Sequence, residues 1–205
     1  MYDLHGGHTE LTACAHEAAH AVMRYHFDME VTDLEIFRME IIDMWDYSGR
    51  CLGAGEDFTA KGIIECYAAG FAWEWRTTLD LFDRYLVVNK GDWEFGDAIN
   101  DCRRISDLVE EKLNLSNNWS KLECKQFKDE VEDLFQRTWE ILEKHYLRAI
   151  SAIAFELSKV NRLPAGKVEA IIRENIDPKY WQKKNSEVNR QDLPLTGQNV
   201  VKLAF

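Results

Sequence analysis

The feature that most constrains this chain is a pentad of the form HExxH, which runs from His16 to His20. The surrounding residues 9–27 contain neither proline nor glycine, and apolar residues recur among them at helical spacing. On a helix, positions i and i+4 lie one turn apart on the same face, so two imidazoles can bind one zinc ion while Glu17 flanks its water. The pattern therefore predicts an α-helix that carries the first half of a hydrolytic zinc site.

We expect this first helix to have a buried side. The apolar residues that recur on the predicted buried side are Leu11, Cys14, Ala15, Ala18, Val22 and Met23. The alternative is a pair of surface histidines that share a solvated face with Glu10 and Arg24. The motif agrees with the helical pattern around it, and we therefore favour the metal site.

Length and composition favour one compact domain. The chain has 205 residues, of which 46% are hydrophobic and 12% aromatic, and this is enough for one substantial core. We expect this domain to cover residues 1–176. Residues 177–205 are mostly polar and include Pro194 and Gly197, so they are expected to form a loosely ordered tail.

Charge and cysteine usage argue against several classes of protein. The formal net charge of -11 disfavours a protein that binds nucleic acid through its phosphates. The five cysteines are scattered and form no CxxC pair, which is typical of a reducing compartment, and we expect a cytoplasmic protein. No apolar stretch is long enough to cross a bilayer and the N-terminus does not resemble a signal peptide, so no membrane association is expected.

The remaining pattern predicts a mainly α fold with a small β-sheet, that is, an α+β class. A strand is expected over residues 31–37, with an extension towards residue 42 and a short returning strand near Cys51 and Leu52. Helices are expected over residues 58–81, 93–113, 120–160 and 164–175, the last with Pro164 in its first turn.

A catalytic zinc site needs a third protein ligand besides the two histidines, and Asp101 is the preferred candidate. It lies at the edge of an apolar helical stripe, where an unpaired buried carboxylate would cost several kcal/mol unless a cation offset that penalty. The alternative is an Asp that pairs with Arg104 or Arg76. Asp97, one turn earlier, is the fallback ligand.

Glu74 is the main competitor of Asp101, because it follows Tyr67 and Phe71 at helical spacing. A metal-bound histidine usually donates its other ring nitrogen to a carboxylate or a carbonyl, and Glu74 is a candidate for this orienting role. A helix-surface glutamate beside Arg76 is the alternative.

In their order along the chain, these segments resemble the peptidase domain of FtsH-type ATP-dependent zinc metalloproteases. Residues 15–22, AHEAAHAV, look like the HEAGHAV helix of that family, and residues 68–74, AAGFAWE, look like its AGRAAEE helix. Residues 96–101, GDAIND, resemble the segment that ends in its third zinc ligand. The resemblance implies a zincin-like HExxH helix followed by a helical bundle, with Asp101 as the third ligand.

The chain also departs from that family. Ala19 replaces a glycine inside the pentad, and Phe71, Trp73 and Trp75 replace smaller or polar residues of the second segment. We expect neither a nucleotide-binding ATPase module nor a membrane anchor, and therefore a stand-alone peptidase.

Motif and resemblance together predict a zinc metalloendopeptidase that cleaves peptides or unfolded proteins. Zinc would be bound by His16, His20 and Asp101, and Glu17 would act as the general base towards a metal-activated water. The strand at residues 31–37 is a candidate edge for an extended substrate. Two alternatives stay open: a non-catalytic interaction or regulatory module derived from such a protease, and a zinc hydrolase of small amides. A homo-oligomer is compatible with the sequence.

Overall fold

The computed structural model describes residues 10–31, 33–41, 44–53, 62–77, 99–115 and 119–176, together with residues 178 and 180. The helices in this part are α1 (Glu10–His26), α2 (Ile63–Thr77), α3 (Ile99–Leu113), α4 (Lys121–His145), α5 (Leu147–Val160) and α6 (Ala165–Asn175). The strands are β1 (Asp33–Ile41), β2 (Met44–Leu52) and β3 (Arg162–Pro164), which form one antiparallel sheet. The predicted fold class, mainly α with a small β-sheet, is confirmed.

Helix α1 lies at the centre of the fold. It packs against α2, α5 and β2, and every residue from Thr12 to Arg24 is buried. Burial therefore extends beyond the predicted side, since Glu17 and Arg24 are buried, whereas the prediction is wrong for Leu11, which is 58% exposed. Because neighbours cover all sides of α1, even its polar side chains are removed from water and need partners inside the protein.

The sheet has the order β2-β1-β3, and β1 is its middle strand. β1 pairs with β2 along its whole length but with β3 only from Asp33 to Glu35. Within the strand predicted at residues 31–37, residues 33–35 are therefore paired on both sides and offer no edge to a substrate. Within the described ranges, β2 lies at the outside of the sheet.

Strand β3 has no counterpart among the predicted elements. It is only three residues long, and Leu163 is buried opposite Leu34, which is fully buried. Three residues are too few to produce an alternating pattern in a sequence. Pro164 ends this strand and is the N-cap of α6, so it stands just before the first turn rather than inside it.

The helix predicted over residues 120–160 is two helices. The break lies at Tyr146, whose backbone angles of φ -127° and ψ -1° are not helical. Of the apolar stripe predicted over residues 120–160, Trp139 is only partly buried, whereas the other positions are buried, namely Phe127, Val131, Leu134, Phe135, Leu142, Tyr146, Ile150, Ile153 and Leu157. The predicted outer limits of α2, the predicted start of α3, Asp97 and most of the predicted tail lie outside the described residues. None of the described helices combines the length and apolar character needed to cross a bilayer.

Candidate metal centre

Two helices bring the three predicted ligands together. His16 and His20 project from α1, and Asp101 belongs to the first turn of α3. Oδ2 of Asp101 lies 3.7 Å from Nε2 of His16 and 3.2 Å from Nε2 of His20. Tetrahedral zinc with bonds of about 2.1 Å separates its ligand atoms by about 3.4 Å. The potential ligand atoms all lie within 4.8 Å of one another, and no other such group occurs in the described ranges.

The ring of His16 is oriented by Glu74. Nδ1 of His16 lies 2.7 Å from Oε1 of Glu74, and Glu74 is only 1% exposed. A carboxylate accepts here, so Nδ1 carries the proton and Nε2 is left as the nitrogen that faces Asp101. Glu74 therefore lies behind the imidazole, in the orienting position, and not among the converging ligand atoms.

The ring of His20 is oriented by a backbone group. Its Nδ1 donates a hydrogen bond to the carbonyl oxygen of Cys66 at 2.6 Å. Its Nε2 is buried and faces Asp101 without the alignment of a hydrogen bond. A buried nitrogen without a hydrogen bond destabilises the folded protein. A metal ion at the point where the three side chains meet would give this nitrogen a partner. The donor set, two imidazole nitrogens and one carboxylate oxygen, is one that zinc accepts.

A glycine in α2 makes room for this arrangement. A Cβ atom at Gly70 would overlap the imidazole ring of His16. Glycine inside a helix costs about 1 kcal/mol relative to alanine, so its presence in α2 marks a close approach. The backbone of α2 thus passes directly against the ring that Glu74 orients.

Glu17 lies beside the three ligands rather than among them. It is buried in α1 and lines the same cavity as His20 and Asp101. Strand β2 runs against its side chain, because a Cβ at Gly49 would overlap Cγ of Glu17. The carboxyl group is therefore held in a confined space next to the ligands, where it can exchange a proton with a small bound molecule.

The charges of the site are strongly coupled. Burial would lower the pKa of His16 and His20, but Glu74 and Asp101 raise the pKa of His16 well above its usual value, and Asp101 raises that of His20. Burial would raise the pKa of Asp101, but the two imidazoles hold it well below its usual range. Burial raises the pKa of Glu17, an effect that the imidazoles partly offset. The imidazoles are thus stabilised in their charged form, and a metal ion that bound there would have to displace their protons.

A cavity of about 310 Å³ opens beside Glu17 and His20. Three arginines also line it: Arg24 from α1, Arg50 from β2 and Arg104 from α3. The sequence analysis named Arg24 only in the alternative of a solvated face and did not predict its place in the cavity. The available signal was its spacing, since it stands four residues after His20 as His20 stands four after His16.

Of the alternative partners considered for Asp101, Arg76 is placed elsewhere, because its guanidinium donates a hydrogen bond to Gln136 of α4. The described ion pairs of Asp101 are formed with the two imidazoles. The fallback ligand Asp97 lies outside the described residues.

Comparison with known proteins adds no further assignment. No protein-family model matches the sequence, and a search of curated proteins finds no match either. Motif and geometry are therefore the basis on which a function can be assigned.

Proposed function

We propose that this protein is a zinc-dependent metallopeptidase in which His16, His20 and Asp101 bind the metal. The observation that supports this most is the convergence of three ligand atoms from α1 and α3 while both Nδ1 atoms are engaged elsewhere. When bound in such a site, zinc lowers the pKa of a water molecule towards neutrality and polarises a substrate carbonyl.

Glu17 is the general base of this proposal. It lines the cavity next to His20 and is confined by the backbone of β2, so it can accept a proton from the attacking water. The same carboxyl group then returns the proton to the leaving amine. Glu17, His16 and His20 are themselves buried, which strengthens the electrostatic interactions between them.

The resemblance to the FtsH-type peptidase domain supports the same ligand set. The proposed activity needs no ATPase module, because peptides and unfolded segments can reach an open cavity without being pulled into it. We also propose a reducing compartment, the cytoplasm. The four cysteines that the structure describes are free thiols, as expected there: Cys14, Cys51, Cys66 and Cys124.

Replacement of the general base tests the proposal. Zinc-loaded wild-type protein is expected to hydrolyse fluorescein-labelled casein, and Glu17→Gln is expected to lower the rate about 100-fold or more. Zinc content, measured by atomic absorption, should stay at one ion per chain in Glu17→Gln and fall in Asp101→Ala. Glu10→Gln, in the first turn of the same helix, is the matched control and should keep both activity and zinc.

Other results would assign a different function. If the wild type binds zinc but cleaves neither casein nor a panel of small amides, the protein is a non-catalytic module and the peptidase proposal is wrong. Cleavage of small amides alone would assign the alternative hydrolase. Full zinc affinity in Asp101→Ala would contradict the ligand assignment.

A further inference from the structure

Arg24 continues the row of site residues along α1. His16, His20 and Arg24 are spaced four residues apart, so they occupy successive turns of one helix face. Arg24 is only 8% exposed, yet it lines the same cavity as His20 and Asp101. Its charge is thus presented to whatever molecule occupies the cavity beside the metal ligands.

The guanidinium of Arg24 is held in place. Its Nε donates a hydrogen bond to the carbonyl oxygen of Glu30 at 2.8 Å. Its planar head lies against the backbone at Gly53, where a Cβ atom would overlap it. The side chain is therefore positioned like part of a binding site and not like a mobile surface arginine.

Arg24 has no acidic partner in the part of the chain that the structure describes, and its one hydrogen bond there is the bond to Glu30. Other arginines are paired: Arg50 contacts Glu35, and Arg137 contacts Glu65. The chain contains 36 acidic and 25 basic residues, so carboxylates are abundant. A buried guanidinium without one is costly, and an anion from outside the chain would remove that cost.

The positive charge of Arg24 acts on the interior of the cavity. Burial raises the pKa of the Cys66 thiol to about 12, and Arg24 partly opposes this rise. The Cys51 thiol responds in the same way, with its pKa raised by burial and lowered in part by Arg24. Both cysteines line the cavity, so the charge of Arg24 influences groups in the cavity wall.

We propose that Arg24 forms an anion subsite and that the substrate carries a carboxylate one or two residues from the bond that is cleaved. This inference rests on the proposed peptidase function. Residues one helical turn apart, such as His20 and Arg24, have Cβ atoms about 6 Å apart. One or two residues of an extended peptide span this distance. The planar donors of a guanidinium match the two oxygens of a carboxylate. The carboxylate belongs to an Asp or Glu side chain or to the C-terminus of the substrate.

Matched peptides distinguish these sources. The first pair of fluorogenic peptides differs only by Glu or Gln next to the cleaved bond, and the second pair only by a C-terminal acid or amide. In the wild type, loss of the recognised carboxylate is expected to raise KM about tenfold or more. Arg24→Gln should abolish this difference, whereas Arg162→Gln, a surface arginine that pairs with Asp33, should keep it.

A binding measurement separates this inference from the proposed function. Anisotropy of the same peptides on zinc-loaded Glu17→Gln protein reports carboxylate recognition without any turnover. Preference for the carboxylate with no hydrolysis by the wild type would support the subsite and refute the peptidase. Equal affinity within both pairs would refute the subsite even if hydrolysis occurs.

The comparison does not depend on a single variant. If Arg24→Gln does not fold, the wild-type preference still decides whether a subsite exists, and Arg24→Lys then tests the residue. Lysine keeps the charge but not the planar fork, so it should weaken the preference without reversing it. An undiminished preference in a folded Arg24→Gln or Arg24→Lys protein would assign the recognition to another group.

Discussion

At the scale of single residues, each imidazole of the pentad uses Nδ1 for a hydrogen bond within the protein and leaves Nε2 for the proposed metal ion. The Nδ1 of His16 is engaged by Glu74, and the Nδ1 of His20 by the carbonyl of Cys66. Both bonds fix the tautomer and the ring orientation, so both Nε2 atoms face the same point. The affinity for a metal ion thus depends on groups that would not touch it.

Glu74→Gln tests this support. Glutamine keeps the shape of the side chain but removes the charge that accepts the proton of His16, so zinc affinity is expected to fall about 10- to 100-fold. Competition with a chromophoric chelator measures the change. Glu65→Gln is the control on the same helix, since Glu65 pairs with Arg137 away from the site. Equal zinc affinity in Glu74→Gln and the wild type would exclude the orienting role.

Gly70→Ala tests the close approach of α2. The added methyl group would overlap the ring of His16, and overpacking of this kind costs about 1–3 kcal/mol in the free energy of unfolding. A ring that moves aside instead would lower zinc affinity. Gly166→Ala is the matched control, because nothing lies within 4 Å of the added atom. Urea unfolding and zinc titration of both variants measure these effects. Wild-type stability and zinc affinity in Gly70→Ala as well as in Gly166→Ala would disprove the contact.

The sequence predicted the side chains of the site better than their surroundings. His16, Glu17, His20 and Asp101 follow from the motif, the helical stripe and the family resemblance. The carbonyl of Cys66 could not be predicted, because any residue type supplies a backbone oxygen. The burial of Arg24 was not predicted, because helical spacing indicates one buried face, whereas a helix at the centre of a fold is buried all around.

At the scale of elements, the sequence pattern did not reveal strand β3 or the break at Tyr146, and it predicted only the end of β2. The apolar residues keep their helical spacing across the break at Tyr146, so periodicity alone predicts one helix where the structure has α4 and α5. Neither proline nor glycine marks the break. By contrast, the start of α4 was predicted at Ser120, where a side chain can replace the missing helical hydrogen bonds.

Ser120→Ala measures the contribution of that helix start. Ser120 Oγ accepts a hydrogen bond from the backbone nitrogen of Glu123, whose carboxylate accepts one from the backbone nitrogen of Ser120. Loss of the serine is expected to destabilise the protein by about 1 kcal/mol in urea unfolding with an unchanged m value. Ser151→Ala, inside α5, is the control and should be neutral or slightly stabilising. Equal loss in both variants would contradict a specific role of the cap.

At the scale of the whole molecule, a zinc ion would connect α1 to α3 and so stabilise the folded chain. A ligand that binds only the folded state at 100 times its Kd adds about 2.7 kcal/mol to the free energy of unfolding. This connection matters because α1 also contacts α2, α5 and the sheet, so the ion would be tied into most of the fold.

The zinc effect should depend on pH in a defined direction. His16 and His20 have raised pKa values without metal, so protons compete with zinc for the ring nitrogens. Zinc affinity is therefore expected to be highest at alkaline pH and to fall as the pH drops through these raised values. Calorimetry in buffers of different ionisation enthalpy should detect protons released on binding at pH 7. The control is His145→Gln, which should release as many protons on zinc binding as the wild type. Equal zinc affinity at pH 6 and pH 8 would contradict the competition.

The pairing of β1 with β3 ties residues 33–35 to residues 162–164. During translation, the proposed zinc ligands His16, His20 and Asp101 are therefore synthesised long before β3, the strand that completes the sheet. Until then α1 lacks α5 as well, and its apolar surface stays open to water or to chaperones. The proposed centre therefore gains its complete surroundings only after residues 162–164 have been synthesised, and a nascent chain that stalls after α3 carries the proposed ligands without α5 and β3.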